Sequence, residues 1–456
     1  MSTLGHRITR RVFVARLAGS AVALGLVVLA APRATMARAH ERSASAIPVR
    51  LGEIVQTGVD FRGGLAEGVR LPRAGGDSWA LTAERPGGRF TSEPLRLDFP
   101  SSHVGVHWRT DGPASGLGVE VRSSRDGQRW SSWRRVQAET HGRDDARDET
   151  FGALVAGRLG TWLQYRLTFG EASGGEREMA AVERVALTYL DARGPADRGG
   201  PIPTGQAAGQ TGFKGGKDAF LARVIPREAW GADESIRFAE GRDQWPRAFV
   251  TPKLLVVHHT ATENEYDDPA AEIRAIYTYH TVTQGFGDIG YNLLIDDRGQ
   301  AYEGRLGREA DPMGGLDREV LSRDVVAGHA YGYNWGSVGI AVLGTFGALS
   351  ADDPRSLAAA EPSVTALMTL EEALAFVAAR HGLDPTERMA FLRARSPSGD
   401  DALWRDDLAA ISGHRDCVPT ECPGERLYAR LPELRERVAA RLGPPGPRAR
   451  ITRGPE

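Results

Sequence analysis

Between Ile47 and Asp191 apolar and polar residues alternate in short runs, among them Leu95-Arg96-Leu97-Asp98-Phe99, Val104-Gly105-Val106-His107-Trp108, Val119-Glu120-Val121-Arg122 and Leu163-Gln164-Tyr165-Arg166-Leu167. A period of two is that of a half-buried strand, and Gly, Pro, Asp or Ser separates the runs. Asp126-Gly127 between two of them predicts a hairpin turn. No convincing helical period occurs here, so residues 47–191 are expected to form an all-β sandwich of jelly-roll type. From residue 192 the pattern disappears. The stretch 192–218 is rich in Gly, Pro, Gln and Ala, buries too little to offset its ordering entropy, and predicts a flexible linker. Residues 219–442 mix apolar strands (Lys253 to Val257, Gly339 to Leu343) with amphipathic stretches (Ala270 to His280, Leu370 to His381, Tyr428 to Leu442). That alternation predicts an α/β domain with a mixed central sheet flanked by helices. Residues 443–456 read as a disordered tail.

The first 39 residues follow neither pattern. Basic residues come first, an apolar stretch runs from Leu17 to Ala31, and small residues stand at Ala37 and Ala39. This is the layout of an export signal cleaved after Ala39, and Thr9-Arg10-Arg11-Val12-Phe13-Val14 is similar to the twin-arginine type. An uncleaved anchor is the alternative, for which the apolar stretch is short. After cleavage no stable membrane insertion is expected, and the mature protein is expected to be exported, extracellular or associated with a cell wall, or periplasmic where the source has an outer membrane. Six of the 57 basic residues lie in the leader, which leaves 51 against 59 acidic ones, a formal charge of about −8. That is a poor footprint for a nucleic-acid binder. The Ala/Arg/Gly bias hints at a high-GC bacterial gene.

Six of the eleven histidines and both cysteines lie in the α/β part, which is where a metal site is to be sought. His258-His259 ends the first apolar strand, and alternation lets only one of the two point into a given cleft. Cys417 and Cys422 sit with His414 in GHRDCVPTECPG. Two His and one Cys with an open fourth position describe a catalytic zinc site. A core histidine at a strand end, with a Cys417–Cys422 disulfide, fits the same composition, and the residue types alone leave both readings open.

Five motifs in order bear on that choice: VIPREAWGA (224–232), LLVVHHTAT (254–262), DIGYNLLIDDRGQAYEGR (288–305), GHAYGYNWGSVGIAVLG (328–344) and GHRDCVPTECPG (413–424). Over Val224 to Leu442 the chain resembles the family of peptidoglycan-recognition proteins and type-2 N-acetylmuramoyl-L-alanine amidases. The resemblance implies that His258, His414 and Cys422 bind Zn2+ with water as the fourth ligand, and that His259 is structural. It makes Cys417 a packed thiol, although a disulfide to Cys422 would remove a ligand. Tyr291 matches the tyrosine the family places beside the metal, and Thr420 matches a second polar position. His329, Tyr331, Asn334 and Trp335 are expected to line the cleft and contact substrate, and Arg415 and Asp416 to orient the ligand His414.

The implied reaction is hydrolysis of the amide between the lactyl group of N-acetylmuramic acid and the L-Ala of the stem, with peptidoglycan as the partner. A zinc ion with three protein ligands lowers the pKa of its water to about 7. Two rivals keep part of this picture, a non-catalytic peptidoglycan binder and a zinc peptidase cutting within stems. The first domain, with Trp108, Trp130, Trp133 and Trp162, would hold wall polymer or else bury these rings in its core. Gly285 to Gly290 fits GxGxxG but precedes a strand, so a dinucleotide site is not expected.

Overall fold

The computed structural model describes residues 46–72, 79–111, 116–139, 149–170, 180–194, 220–307, 324–347, 361–393 and 404–443. The expected leader, most of the linker and the tail lie outside them. No described helix is long and apolar enough to cross a membrane.

The amino-terminal part is all-β, and where a sandwich of jelly-roll type was expected its described strands form one continuous antiparallel eleven-stranded sheet. Its main strands are β1 (Arg50–Thr57), β2 (Gly88–Thr91), β3 (Leu95–Asp111), β4 (Leu117–Ser124), β5 (Val155–Phe169) and β6 (Ala181–Asp191). The difference comes from β3 and β5, which change partners along their length. The first half of β3 pairs with β5, and from His103 onward it pairs with β6. The first half of β5 pairs with β3, and its last residues lie between β2 and β4. Pro100-Ser101-Ser102 reads as a break in sequence, yet it lies within the continuous strand β3. The sheet wraps an apolar core that includes Phe61, Phe90, Trp108, Leu163, Tyr165 and Leu187. Trp130, Trp133 and Trp162 are half-buried. Arginine side chains cover them: Arg122 lies over Trp130 and Trp133, and Arg96 over Trp162.

The second part is built on a five-stranded mixed sheet. Its strands are β7 (Leu254–His259), β8 (Leu293–Ile295), β9 (Ala301–Glu303), β10 (Ser337–Val342) and β13 (Ile411–Gly413), in the order β9-β8-β10-β7-β13. All neighbours are parallel except β8 and β9. A central parallel strand is covered on both faces, which is why LLVVHH is buried throughout. Three helices pack around the sheet: α1 (Pro269–Thr278), α2 (Val364–His381) and α3 (Leu431–Leu442). Asp268 caps α1 through the Ala270 N–H, and Ser363 caps α2 through that of Ala366. In the 350–411 stretch that the motifs left unassigned, α2 precedes a hairpin of β11 (Arg388–Leu392) and β12 (Trp404–Ala409). Phe391 and Leu408 of that hairpin pack over Leu254 and Val256 of β7.

The two parts share a core. Leu154, Leu190 and Ala192 cluster with Trp230, Ala232, Ile273 and Tyr277. The Arg274 Nε donates to the Ala192 carbonyl at 3.0 Å, and Glu272 meets His103 at 2.9 Å. Ala192, where the linker was expected to begin, is therefore fully buried in this interface.

Candidate metal centre

Alternation along β7 sends Leu254, Val256 and His258 to one face, and Leu255, Val257 and His259 to the other. Strand β13 runs parallel beside β7, with Val257 opposite Gly413, so the next residue, His414, emerges beside His258. Their rings are 4.5 Å apart between centroids. The chain then turns back to place Cys422 between the two strand ends, where its Sγ accepts from the His259 N–H at 3.4 Å. One donor atom from each of His258, His414 and Cys422 lies within 4.8 Å of the other two, and all three residues are buried. Ligands in open parallel sheets gather at these carboxyl ends of strands.

The donor set fits a zinc ion. His258 Nδ1 and Cys422 Sγ are 3.6 Å apart, and two ligands bonded tetrahedrally at about 2.1 and 2.3 Å would stand roughly 3.6 Å apart. The tautomer fits as well. Ser337 Oγ donates to the Tyr333 carbonyl, which can only accept. The His329 Nε2–H then donates to Ser337 Oγ at 3.1 Å, and the His258 Nε2–H donates to His329 Nδ1 at 3.0 Å. The relay leaves the His258 Nδ1 lone pair on the Cys422 side, the orientation a metal ligand needs. Burial pushes the Cys422 thiol well above its ordinary range, and a cation offsets that by favouring the thiolate.

Tyr291 lies next to this cluster, its ring 5.5 Å from that of His258. Burial, with Glu139 and Cys422 nearby, raises its pKa well above the ordinary value, so the hydroxyl keeps its proton as a donor. The turn before it is held by Asp288, which takes Arg305 at 2.7 Å, Arg227 at 3.1 Å and Arg237 at 3.2 Å. Thr420 is half-buried beside Cys422, and its Oγ1 accepts from the Cys422 N–H at 3.3 Å. Cys417 packs in the apolar cluster under the β11–β12 hairpin, and no disulfide joins it to Cys422. Asp416 receives the Gly413 N–H and the Tyr428 hydroxyl, while Arg415 reaches Glu425. His259 is buried on the other face, where its Nδ1 accepts from the Phe346 N–H.

The expected substrate residues are placed differently. His329 is fully buried behind His258 and belongs to the relay, not to a cleft wall. Asn334 is 2% exposed, and its Oδ1 accepts from the Ala330 N–H. Tyr331 and Trp335 do reach the surface, but in the loop that enters β10 opposite Leu254. Trp335 stands two residues before Ser337, which pairs with Leu254 at the other end of β7 from His258.

A cavity of about 230 Å3 opens beside the cluster, lined by Thr260, Thr420, Glu421 and Cys422. Its opposite wall comes from the β-rich part, through Arg135, Gln137 and Glu139. The Gln137 Nε2 donates to Glu421 Oε2 at 3.0 Å. Sequence reasoning missed this wall because no spacing rule joins residues 284 positions apart.

A buried His/His/Cys cluster that could hold a metal ion thus stands beside a tyrosine at the carboxyl ends of parallel strands in an α/β domain. Residues 248–425 match the family model described as N-acetylmuramoyl-L-alanine amidase, and over this segment the chain is similar to amidases of that name and to peptidoglycan-recognition proteins. It is 30% identical over 218 residues to the human N-acetylmuramoyl-L-alanine amidase, a match covering 46% of this chain and 28% of that protein. It is 25% identical over 221 residues to peptidoglycan-recognition protein LB of Drosophila melanogaster, covering 47% of this chain and 70% of that protein. Among solved structures, peptidoglycan recognition protein-LE in complex with tracheal cytotoxin aligns at 25% identity with a TM-score of 0.32, over 47% of this chain and 94% of that one. The chain thus spans under a third of the human and pig amidases it matches, 28% of each.

Proposed function

We propose that this protein is an exported, zinc-dependent N-acetylmuramoyl-L-alanine amidase that hydrolyses the lactyl-amide bond joining N-acetylmuramic acid to the L-Ala of the peptidoglycan stem. The observation that carries the reading is the buried donor triplet of His258, His414 and Cys422, with the His258 tautomer fixed from behind and Tyr291 alongside. When bound, zinc supplies a Lewis acid for the amide carbonyl and an acidified water as nucleophile. The rest is the work of side chains. The Tyr291 hydroxyl, kept protonated by burial, donates to the oxygen on which negative charge develops. The Thr420 hydroxyl is a second donor at the mouth of the cavity. Its bond to the Cys422 N–H holds the ligand loop in place at the same time.

Digestion of purified peptidoglycan by the mature protein separates this reading from its rivals. Glycan carrying free lactyl carboxylates, with intact stems released, is the expected product. New α-amines within the stems would mean a peptidase. A wall that retains the protein and stays uncut would mean a binder.

A further inference from the structure

Amide hydrolysis needs a group that takes a proton from the attacking water and returns one to the leaving amine. Neither Tyr291 nor Thr420 can accept that proton near neutral pH, because a phenol and an alcohol are neutral donors there. The cavity beside Cys422 is lined by two carboxylates, Glu421 and Glu139. Glu421 is 61% exposed and engaged by Arg135 and Gln137 at the rim. Glu139 is only 7% exposed and arrives from the other half of the molecule.

Its position is built rather than incidental. The Glu139 N–H donates to the Phe151 carbonyl at 2.8 Å, and the Ala153 N–H to the Gln137 carbonyl at 2.8 Å, so the segment is pinned as an edge of the β-rich part. That edge is docked by Tyr279, whose hydroxyl donates to the Gly152 carbonyl at 3.0 Å. The Glu139 carboxylate receives the side-chain amide of Gln284 and lies 3.9 Å from His280 Nε2. Since His280 Nδ1 accepts the Gly290 N–H at 3.1 Å, its Nε2 carries the proton and faces the carboxylate. Gln284 and His280 belong to or adjoin the π turn Tyr279–Thr283 that continues α1, a widening often found at functional sites.

We propose that Glu139, supplied by the β-rich part, is the proton acceptor and donor of the amide hydrolysis proposed above, so that the active site is composite. As the water oxygen bonds to the carbonyl carbon, one water proton passes to the Glu139 carboxylate and the carbonyl π pair moves onto oxygen. As that pair returns, the C–N bond breaks with its electrons on nitrogen, and Glu139 gives the proton to the leaving amine. Glu139 ends as it began, and no oxidation state changes. The accessory part thereby becomes a component of the catalytic machinery.

The test uses the full mature chain with Glu139→Gln, which keeps shape and can still accept from Gln284, and with Glu139→Asp as a second variant. Zinc per chain, thermal midpoint, kcat and KM are measured, together with Kd of a soluble muramoyl-peptide for the metal-free chain. The expected result for Glu139→Gln is a kcat lower by about 100-fold or more, with zinc content and thermal midpoint unchanged and KM and Kd within about threefold. Glu139→Asp should fold and keep part of the activity that Glu139→Gln loses. A kcat within about threefold of the parent in both variants would overturn the inference alone. So would a loss matched by equal losses of zinc or ligand affinity, since the carboxylate would then be a strut. This inference rests on the amidase reading, and an inactive parent protein would overturn that reading, and the inference with it.

Discussion

Asp288 shows how much a single buried charge does for this site. Its carboxylate is fully buried among Arg227, Arg237 and Arg305, and its Oδ1 also accepts the Ile289 N–H, so it sets the turn that leads to Tyr291. Burial alone would raise its pKa, but the three guanidinium groups outweigh that and hold it below the ordinary carboxylate range. A depressed folded pKa gives stability that is present above the unfolded value and lost as pH falls through the folded one. This contribution should therefore be constant near neutrality and fade below about pH 4. Asp288→Asn removes the buried counter-charge of Arg305 and one of the carboxylates that Arg227 and Arg237 share with Glu234 and Asp243, and should cost about 3–5 kcal/mol in denaturant unfolding. The variant should also lack the parent's extra loss of stability below pH 4, and parallel acid curves for the two would contradict the account.

At the scale of elements, the central strands hold the ligand relay in place. Gly339 of β10 lies opposite Val256, and a Cβ there would come within 2.2 Å of His329 Cγ. Gly339→Ala should displace His329 from His258 and weaken zinc binding about 10- to 100-fold in a chelator competition. An unchanged affinity would mean that the relay is not what orients the ligand. The strands and helices of this half were legible because their apolar periods are strong, while their ends were not. Helix α2 begins at Val364, six residues before the predicted Leu370, because its first turn is largely exposed and is set by the Ser363 cap. Helix α3 begins at Leu431 because Pro432, harmless only in a first turn, separates it from the short helix Glu425–Tyr428. That His258, His414 and Cys422 would come together was legible because motif order carries them. His329 was misplaced for want of any sequence sign that its ring turns inward.

At the scale of the whole molecule, the shared cluster of Leu154, Leu190, Ala192, Trp230 and Ile273 joins the two halves through buried apolar surface. Units with a continuous core unfold together. Calorimetry should therefore show one cooperative transition for the mature chain, and two separated transitions would show the halves to be independent. This coupling was invisible in sequence. The Gly/Pro-rich stretch reads as a spacer, and the residues that meet across the interface, such as His103 with Glu272, are 169 positions apart. A sheet of partner-switching strands was equally hidden, because Pro100 looks like a terminator when in fact it lies inside β3.

The most direct test of the central claim is metal content and peptidoglycan cleavage for the mature protein and Cys422→Ser, measured side by side. The account predicts one zinc per chain and lactyl-amide cleavage in the parent, both lost in the variant. Cleavage that persists in Cys422→Ser, or a parent protein that binds peptidoglycan without zinc and without cutting it, would contradict it.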